Sequence, residues 1–287
     1  MASATHADPK AESKSRAPLS AKWTFAILIV AFLFVLMPFL FWNATWFGRP
    51  LTEAQIGAAL ADRSHPREIQ HALTQIEARI EVGDPGARQW YPQIVQLASD
   101  PIDEIRVTDA WVIGQDNKSP EFHAALVKLL GDANPMVERN AALSLVRFGD
   151  DSGHAQIVAM LRPYALSVPF EGKLETRLKP GDVVNPGTLI ARIDSSGQGR
   201  EVRANVPGTL TRWITPNGSA ISAGQPIAAI EPSESMVWEA LRALYLVGRA
   251  EDLPDVERYA RGGEGISPQV AQQAQATVQA IRTRSAQ

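Results

Sequence analysis

The residues able to do chemistry are few and scattered. Four histidines fall in the body of the chain: His65, His71, His123 and His154. His65 and His71 lie six positions apart rather than four, so they do not form the paired imidazoles of a helical metal site. No histidine stands beside both a nucleophile and an acid, as a general base would. Cysteine is missing, which excludes disulfides, thiolate metal ligands, thiol catalysis and a diacylglyceryl anchor. Arg106 and Arg139 stand near the starts of two predicted helices and read as rungs of a polar ladder within or between repeats. Carboxylates such as Asp182 lie on predicted helix faces and turns without converging. No Gly-rich phosphate loop, zinc-ligand spacing or nucleophile elbow occurs. The sequence therefore predicts no catalytic, cofactor-binding or metal-binding residue, no cofactor, and a protein that is not an enzyme.

The elements around these residues point to a different kind of protein. The 287 residues suffice for about two domains. A net charge of −3 with no basic face argues against nucleic acid as a partner. From Trp23 to Phe41 the chain carries no charge over nineteen residues. A helix of that length covers roughly 28 Å, close to the ~30 Å hydrocarbon core of a bilayer. Trp23 marks one end, and Trp42 and Trp46 the other, as in an interfacial aromatic belt. Residues 22–47 are thus expected to form a transmembrane helix, with Pro38 near its outer end. A buried core helix would show a polar stripe, and a signal peptide would be shorter with a small-residue cleavage site. Lys10, Lys14, Arg16 and Lys22 precede the span while Arg49 follows it. By the positive-inside rule the N-terminus is cytoplasmic and the body extracytoplasmic, periplasmic in a Gram-negative cell. The expected location is the inner (cytoplasmic) membrane, crossed once. Residues 1–21, rich in Ala, Ser and Lys, read as a disordered tail.

From Leu51 to about residue 165 apolar residues recur at helical spacing. Trp90, Ile94 and Leu97 form one stripe, Phe122, Leu126 and Leu129 another, and Val137, Ala141, Leu145 and Phe148 a third. The pairs Asp84-Pro85, Asp100-Pro101, Ser119-Pro120 and Asn134-Pro135 separate helices. The segment I-R-V-T-D-A-W-V-I-G-Q-D matches N-A-A-L-S-L-V-R-F-G-D-D, with Gly114 and Gly149 as expected left-handed helix ends 35 residues apart. Paired helices at such a period predict an α-solenoid. D-P-I-D-E-I-R and N-P-M-V-E-R-N-A-A-L-S-L resemble HEAT repeats of the short bacterial type also seen in bilin-lyase-like proteins. That resemblance implies a stacked helical surface for binding proteins, with no catalytic motif attached.

From about residue 166 to 232 the period falls to two, with glycine turns every few residues. Two similar halves follow each other. Gly172, Gly181, Gly187 and Ile193 match Gly208, Gly218, Gly224 and Ile230, with Asn217 inserted. Each half predicts strand, turn, short strand, turn and strand, and two such halves can close each other's edges. The pattern resembles the lipoyl/biotinyl family, the barrel-sandwich hybrid, on Gly181-Asp182-Val183-Val184, Gly187, Val202-Arg203-Ala204 and Pro207-Gly208. Carriers of that family hold lipoyl or biotin on a lysine at the tip of a central hairpin, which corresponds to residues 193–204. The lysine position falls at about Gly197, and no lysine follows Lys179. The resemblance therefore implies a packing module rather than a carrier. Membrane fusion proteins use the same fold in this way, although their long helical hairpin has no counterpart here.

Residues 233–287 are helical again, with stripes at Val237, Leu241 and Leu244 and at Val270, Ala274, Val278 and Ile281. E-A-L-R-A-L-Y-L-V-G-R-A-E-D aligns with the segment ending at Gly149, placing Gly248 at an equivalent helix end. The expected fold is α+β multidomain: an N-terminal transmembrane helix, a HEAT-like α-solenoid, an inserted lipoyl-like β-module, and a C-terminal helical repeat. The expected function is a membrane-anchored non-catalytic scaffold or adaptor that binds partner proteins. The alternatives are an accessory subunit of a transport, secretion or respiratory membrane complex, and a cofactor carrier or lyase-type enzyme.

Overall fold

The computed structural model describes residues 21–44, 50–195 and 197–286. It is an α+β structure: helices with two small antiparallel sheets. The chain divides into two compact units, Met1–Pro50 and Leu51–Gln287.

In the first unit, α1 runs Ala21–Ala44 and contains Pro38. Ala21, which the sequence assigns to the tail, is its first residue. The described apolar side chains from Trp23 to Leu40 are almost all exposed, on every side of the helix. Among the described residues no helix is long and apolar enough to cross a membrane. The predicted tail up to residue 20, with Lys10, Lys14 and Arg16, lies outside the described residues, as does 45–49 with Trp46 and Arg49.

The second unit begins with α2 (Glu53–Ala61), α3 (Pro66–Glu81), α4 (Tyr91–Leu97), α5 (Asp103–Ile113), α6 (Pro120–Leu129), α7 (Pro135–Arg147) and α8 (His154–Ala159). After the sheets come α9 (Glu234–Val247), α10 (Leu253–Ala260) and α11 (Pro268–Ser285). Local chemistry sets the helix starts. Thr52 and Gln55 form a reciprocal capping box on α2. Ser119, Asn134, Ser233 and Ser267 accept from backbone N–H groups of the first turns of α6, α7, α9 and α11. In α3, α6, α7 and α11 a proline occupies the first helical position, where its missing N–H costs nothing. Asp84-Pro85 opens a 3-10 helix, Pro85–Trp90, so Trp90 precedes α4 rather than lying on it.

Helices α3, α5, α7, α9 and α11 stand side by side in one row, while α2, α4, α6, α8 and α10 each pack on a member of that row. The predicted stripes form the floor between the rows: Ile94, Leu97, Phe122, Leu126, Val137, Ala141, Leu145, Leu241, Ala274 and Ile281 are all buried. One core joins α2 through α7, and a second joins α7 and α8 to α9, α10 and α11.

Of the two predicted left-handed ends, Gly149 holds and Gly114 does not, and Gly248, aligned with Gly149, is not left-handed either. Gly149 has φ +72°, but Gly114 is right-handed helical at φ −67° and Gly248 is extended at φ −64°. At these two positions glycine serves close packing instead. A Cβ on Gly114 would come within 2.3 Å of Ser144 Oγ, and one on Gly248 within 2.4 Å of the Leu244 carbonyl oxygen.

Eight strands occupy the middle of the unit: β1 (Tyr164–Ser167), β2 (Gly172–Thr176), β3 (Val183–Val184), β4 (Leu189–Ser195), β5 (Gln198–Arg203), β6 (Gly208–Trp213), β7 (Ala220–Ile221) and β8 (Pro226–Pro232). They form two sheets, ordered β1-β8-β6-β3 and β5-β4-β2-β7. Each half of the internal repeat thus gives its short strand to the other half's sheet: β3 pairs with β6, and β7 with β2. The exchange is symmetric in detail. Gly181 N donates to Leu210 O and Gly218 N to Leu174 O, both at 2.7 Å. Both glycines have positive φ, as these turns demand. Leu174, Val184, Ile193, Leu210, Ile221 and Ile230 fill the space between the sheets.

Candidate interaction surface

The residues singled out for chemistry are dispersed, and most have structural partners. His65 Nδ1 meets Asp62 Oδ2 at 2.8 Å on the surface, a contact that raises the histidine pKa. His71 is buried, with Nε2 3.1 Å from Gln75 Nε2, and Gln75 in turn accepts from Leu51 N. His123 Nε2 lies 2.7 Å from Asp150 Oδ2, and His154 Nε2 lies 2.8 Å from Asp252 Oδ2. Tyr91 makes the corresponding contact in the first position of α4, donating to Asp116 Oδ2 at 2.8 Å. These three contacts are one feature repeated. A residue of α4, α6 or α8 reaches the aspartate in the turn after α5, α7 or α9.

Arg106 likewise joins α5 to the turn between α6 and α7. Its Nε and Nη2 donate to both oxygens of Asp132, at 2.7 and 2.9 Å, and Nη1 donates to Asp100 O. Burial alone would raise the Asp132 pKa, but the Arg106 guanidinium and the Asn134 N–H hold it below the usual carboxylate range. Arg139 is buried against the Tyr164 ring and donates to Met236 Sδ at 3.4 Å, so one side chain ties α7 to β1 and α9. Burial lowers its pKa. Asp182 caps its own turn by accepting from Lys179 N. Gly197 stands at the β4–β5 turn with φ +83°, donating to Asp194 Oδ1.

Among the described residues, one group has metal-ligating atoms close enough to share an ion: His154, Glu251 and Asp252, within 4.8 Å of one another. Asp252 Oδ2 already accepts from His154 Nε2 and from Arg249 N at 2.7 Å. The group is therefore accounted for as a rung and a helix cap. Trp90 Nε1, Gln156 Oε1 and Asn205 Oδ1 are single buried atoms without a partner among the described residues, and Asp109 departs furthest from the pattern of satisfied polar groups. It is fully buried, neither carboxylate oxygen has a hydrogen-bond partner, and burial pushes its pKa well above the ordinary value, with Asp100 adding to the rise and Arg63 opposing it.

What the fold does assemble is a groove of about 390 Å³ across α5, α7, α9 and α11. Its walls include Trp111, Leu143, Arg147, Arg242, Tyr245 and Leu246. Trp111, Tyr245 and Leu246 are 39%, 45% and 60% exposed, three bulky side chains gathered at one groove. Trp111 is held in place: Nε1 donates to Glu77 Oε1 at 2.5 Å and Arg147 Cζ lies 5.6 Å from the ring centre. Sequence periodicity did not single these residues out because they lie off the buried stripes. The available signal was bulky aromatic and aliphatic residues on the outward face of a helix, at Trp111, Tyr245 and Leu246. No protein-family model matches this chain, and no curated protein matches it.

Proposed function

We propose that this protein is a membrane-anchored, non-catalytic scaffold whose helical rows and β-module both dock partner proteins. The observation that carries the reading is the groove. A set Trp, Tyr, Leu and two arginines on rigid helices is the composition of a binding hot spot rather than of a reaction centre. The titratable groups support the same reading: His123, His154 and Arg106 join separate helices, while His65 and His71 bond to residues three and four positions away.

The helical part is read as a HEAT-like solenoid, supported by two rows of paired helices and recurring inter-repeat rungs. The sheets are read as a lipoyl-like barrel-sandwich hybrid inserted between repeats, supported by two halves that exchange short strands. A lysine-free β4–β5 hairpin supports packing over cofactor carriage. Anchoring rests on the uncharged run Trp23–Phe41, with a cytoplasmic N-terminus by charge bias.

Two measurements on one preparation test this. The full chain should fractionate with membranes, and protease added to spheroplasts should digest the region after Leu51. Purified in mild detergent, it should retain a protein partner and an intact mass free of lipoyl or biotinyl adduct. Protection from protease would reverse the topology. An adduct would replace the scaffold with a carrier, and a solitary monomer from native membranes would remove the scaffold reading.

A further inference from the structure

Within that scaffold reading, the groove has a chemical polarity that narrows what fits it. Its apolar floor is made of Leu143, Val146, Ala243 and Ala276, and its rim carries Trp111, Tyr245 and Leu246. Its arginines are poorly neutralised. Among the described residues Arg147 meets no carboxylate; it donates to Gln115 Oε1 at 2.5 Å and faces the Trp111 ring. Arg242 has only Glu239, the one acid on the groove wall, at 3.7 Å, so two arginines there face a single carboxylate. Arg284, where the groove continues along α11, donates only to the Leu244, Tyr245 and Gly248 carbonyls. Elsewhere on the same helices arginines are met by acids at closer range, as in Arg106–Asp132 and Arg282–Glu257. A charge left open beside exposed aromatic and aliphatic surface is the mirror image of its ligand.

We propose that the α5–α7–α9–α11 groove docks a short segment of a partner protein in which one large apolar side chain is flanked by carboxylates. The apolar side chain enters between Trp111 and Leu246, and the carboxylates face Arg147 on one side and Arg242 on the other. A cavity of about 390 Å³ has room for one such side chain with its neighbours, not for a domain. Affinity then comes from the buried anchor, and choice of partner from the charges.

Fluorescent peptides with a central Trp flanked by Asp and Glu, and matched peptides with Lys or Ser flanks, test this against the full chain in mild detergent. The acidic peptide should bind about tenfold tighter than the Ser-flanked one, and the Lys-flanked one should not bind. Raising salt should weaken binding, and the pair R147E/R242E should transfer preference to the Lys-flanked peptide. Leu246→Asp should abolish binding of the acidic and Ser-flanked peptides while leaving the thermal midpoint within a few degrees, since Leu246 is exposed. Equal binding of the three peptides, or none, overturns the proposal. So does a dimer of the chain that Leu246→Asp dissociates, or anionic vesicles competing where the acidic peptide does not. Retention of a membrane partner by R147E/R242E would remove this assignment and leave the scaffold reading intact. Peptide binding without any native partner would do the reverse.

Discussion

His154 Nε2 lies 2.8 Å from Asp252 Oδ2, and 98 positions of chain separate the two residues. Between them the chain leaves the helices, builds both sheets and returns. The contact has the geometry of Tyr91–Asp116 and His123–Asp150, whose partners are only 25 and 27 positions apart. After the sheets the chain therefore returns to the helices it left, with α9 packing on α7 and α8. Arg249–Asp151 at 2.6 Å, Arg162–Asp255 at 2.6 Å and Tyr259 OH to Leu161 O at 2.8 Å brace the same seam.

The rungs should differ in strength by their burial. His154 and Asp252 side chains are 13% and 3% exposed, against 39% and 25% for His123 and Asp150. His154→Ala leaves the enclosed Asp252 carboxylate one donor short and should cost about 1–3 kcal/mol. His123→Ala, at a wetter site, should cost about 0.5 kcal/mol or less. Urea unfolding of a chain beginning at Leu51 measures both, and equal midpoints would contradict the burial argument.

Gly114 should resist substitution for a reason unconnected with φ. A Cβ there would sit 2.3 Å from Ser144 Oγ and 2.5 Å from Ser144 Cβ, where Ser144 donates to Ala110 O. Gly114→Ala forces α5 and α7 apart and should cost about 1–3 kcal/mol. Ser144→Gly removes the obstructing atoms, so the double variant should recover part of that loss. Additive losses in the double-mutant cycle would show that the clash is relieved by some other movement.

Asp109 makes stability depend on pH. Burial raises its pKa in the folded state, and the groups nearest it in charge are Asp100, which adds to the rise, and Arg63, which opposes it. Its contribution is therefore fully present below the unfolded value of about 3.9 and is lost as pH rises toward the folded value. Asp109→Asn cannot ionise. Wild type and variant should have similar urea midpoints near pH 4, with the variant gaining as pH rises by at most about 1.4 kcal/mol per unit. A variant less stable than wild type at pH 8 would mean that the carboxylate is ionised and held by a partner.

The pattern of apolar residues made the element types legible, because stripes such as Val137, Ala141 and Leu145 at helical spacing and the alternation of Lys173, Leu174 and Glu175 each admit one way of burial. The paired glycines Gly181 and Gly218 made the two-half module legible, since both turns need positive φ. The rungs were not legible: a tyrosine at 91 stands where histidines stand at 123 and 154, and each partner is fixed only by the stacking of helices. Asp109 was hidden for a related reason, an acid beside a buried stripe that sequence alone would place in solvent. The groove escaped notice because its residues are defined by what they do not touch.

The helices should survive loss of the sheets. The core that joins α7 and α8 to α9, α10 and α11 is closed by Ile157, Leu161, Val237, Leu241, Ala274 and Ile281, none of which belongs to a strand. The sheets have their own interior, and they meet the helices through Met136, Arg139 and Tyr164. Excising 167–231 and joining the ends with a short glycine linker keeps the His154–Asp252, Arg162–Asp255 and Tyr259–Leu161 contacts available. Stacked helical repeats draw stability from nearest neighbours, so the shortened chain should remain folded, helical and cooperative in thermal melting. Its midpoint should fall by a few degrees, because Tyr164 loses the β8 pairing that holds it against Arg139, and Arg258 loses Glu231. The excised sheets, small and without a disulfide, should be the weaker fragment. A shortened chain that melts without cooperativity would show that the sheets hold the helical seam together, and an isolated module as stable as the parent would show that they owe the helices nothing.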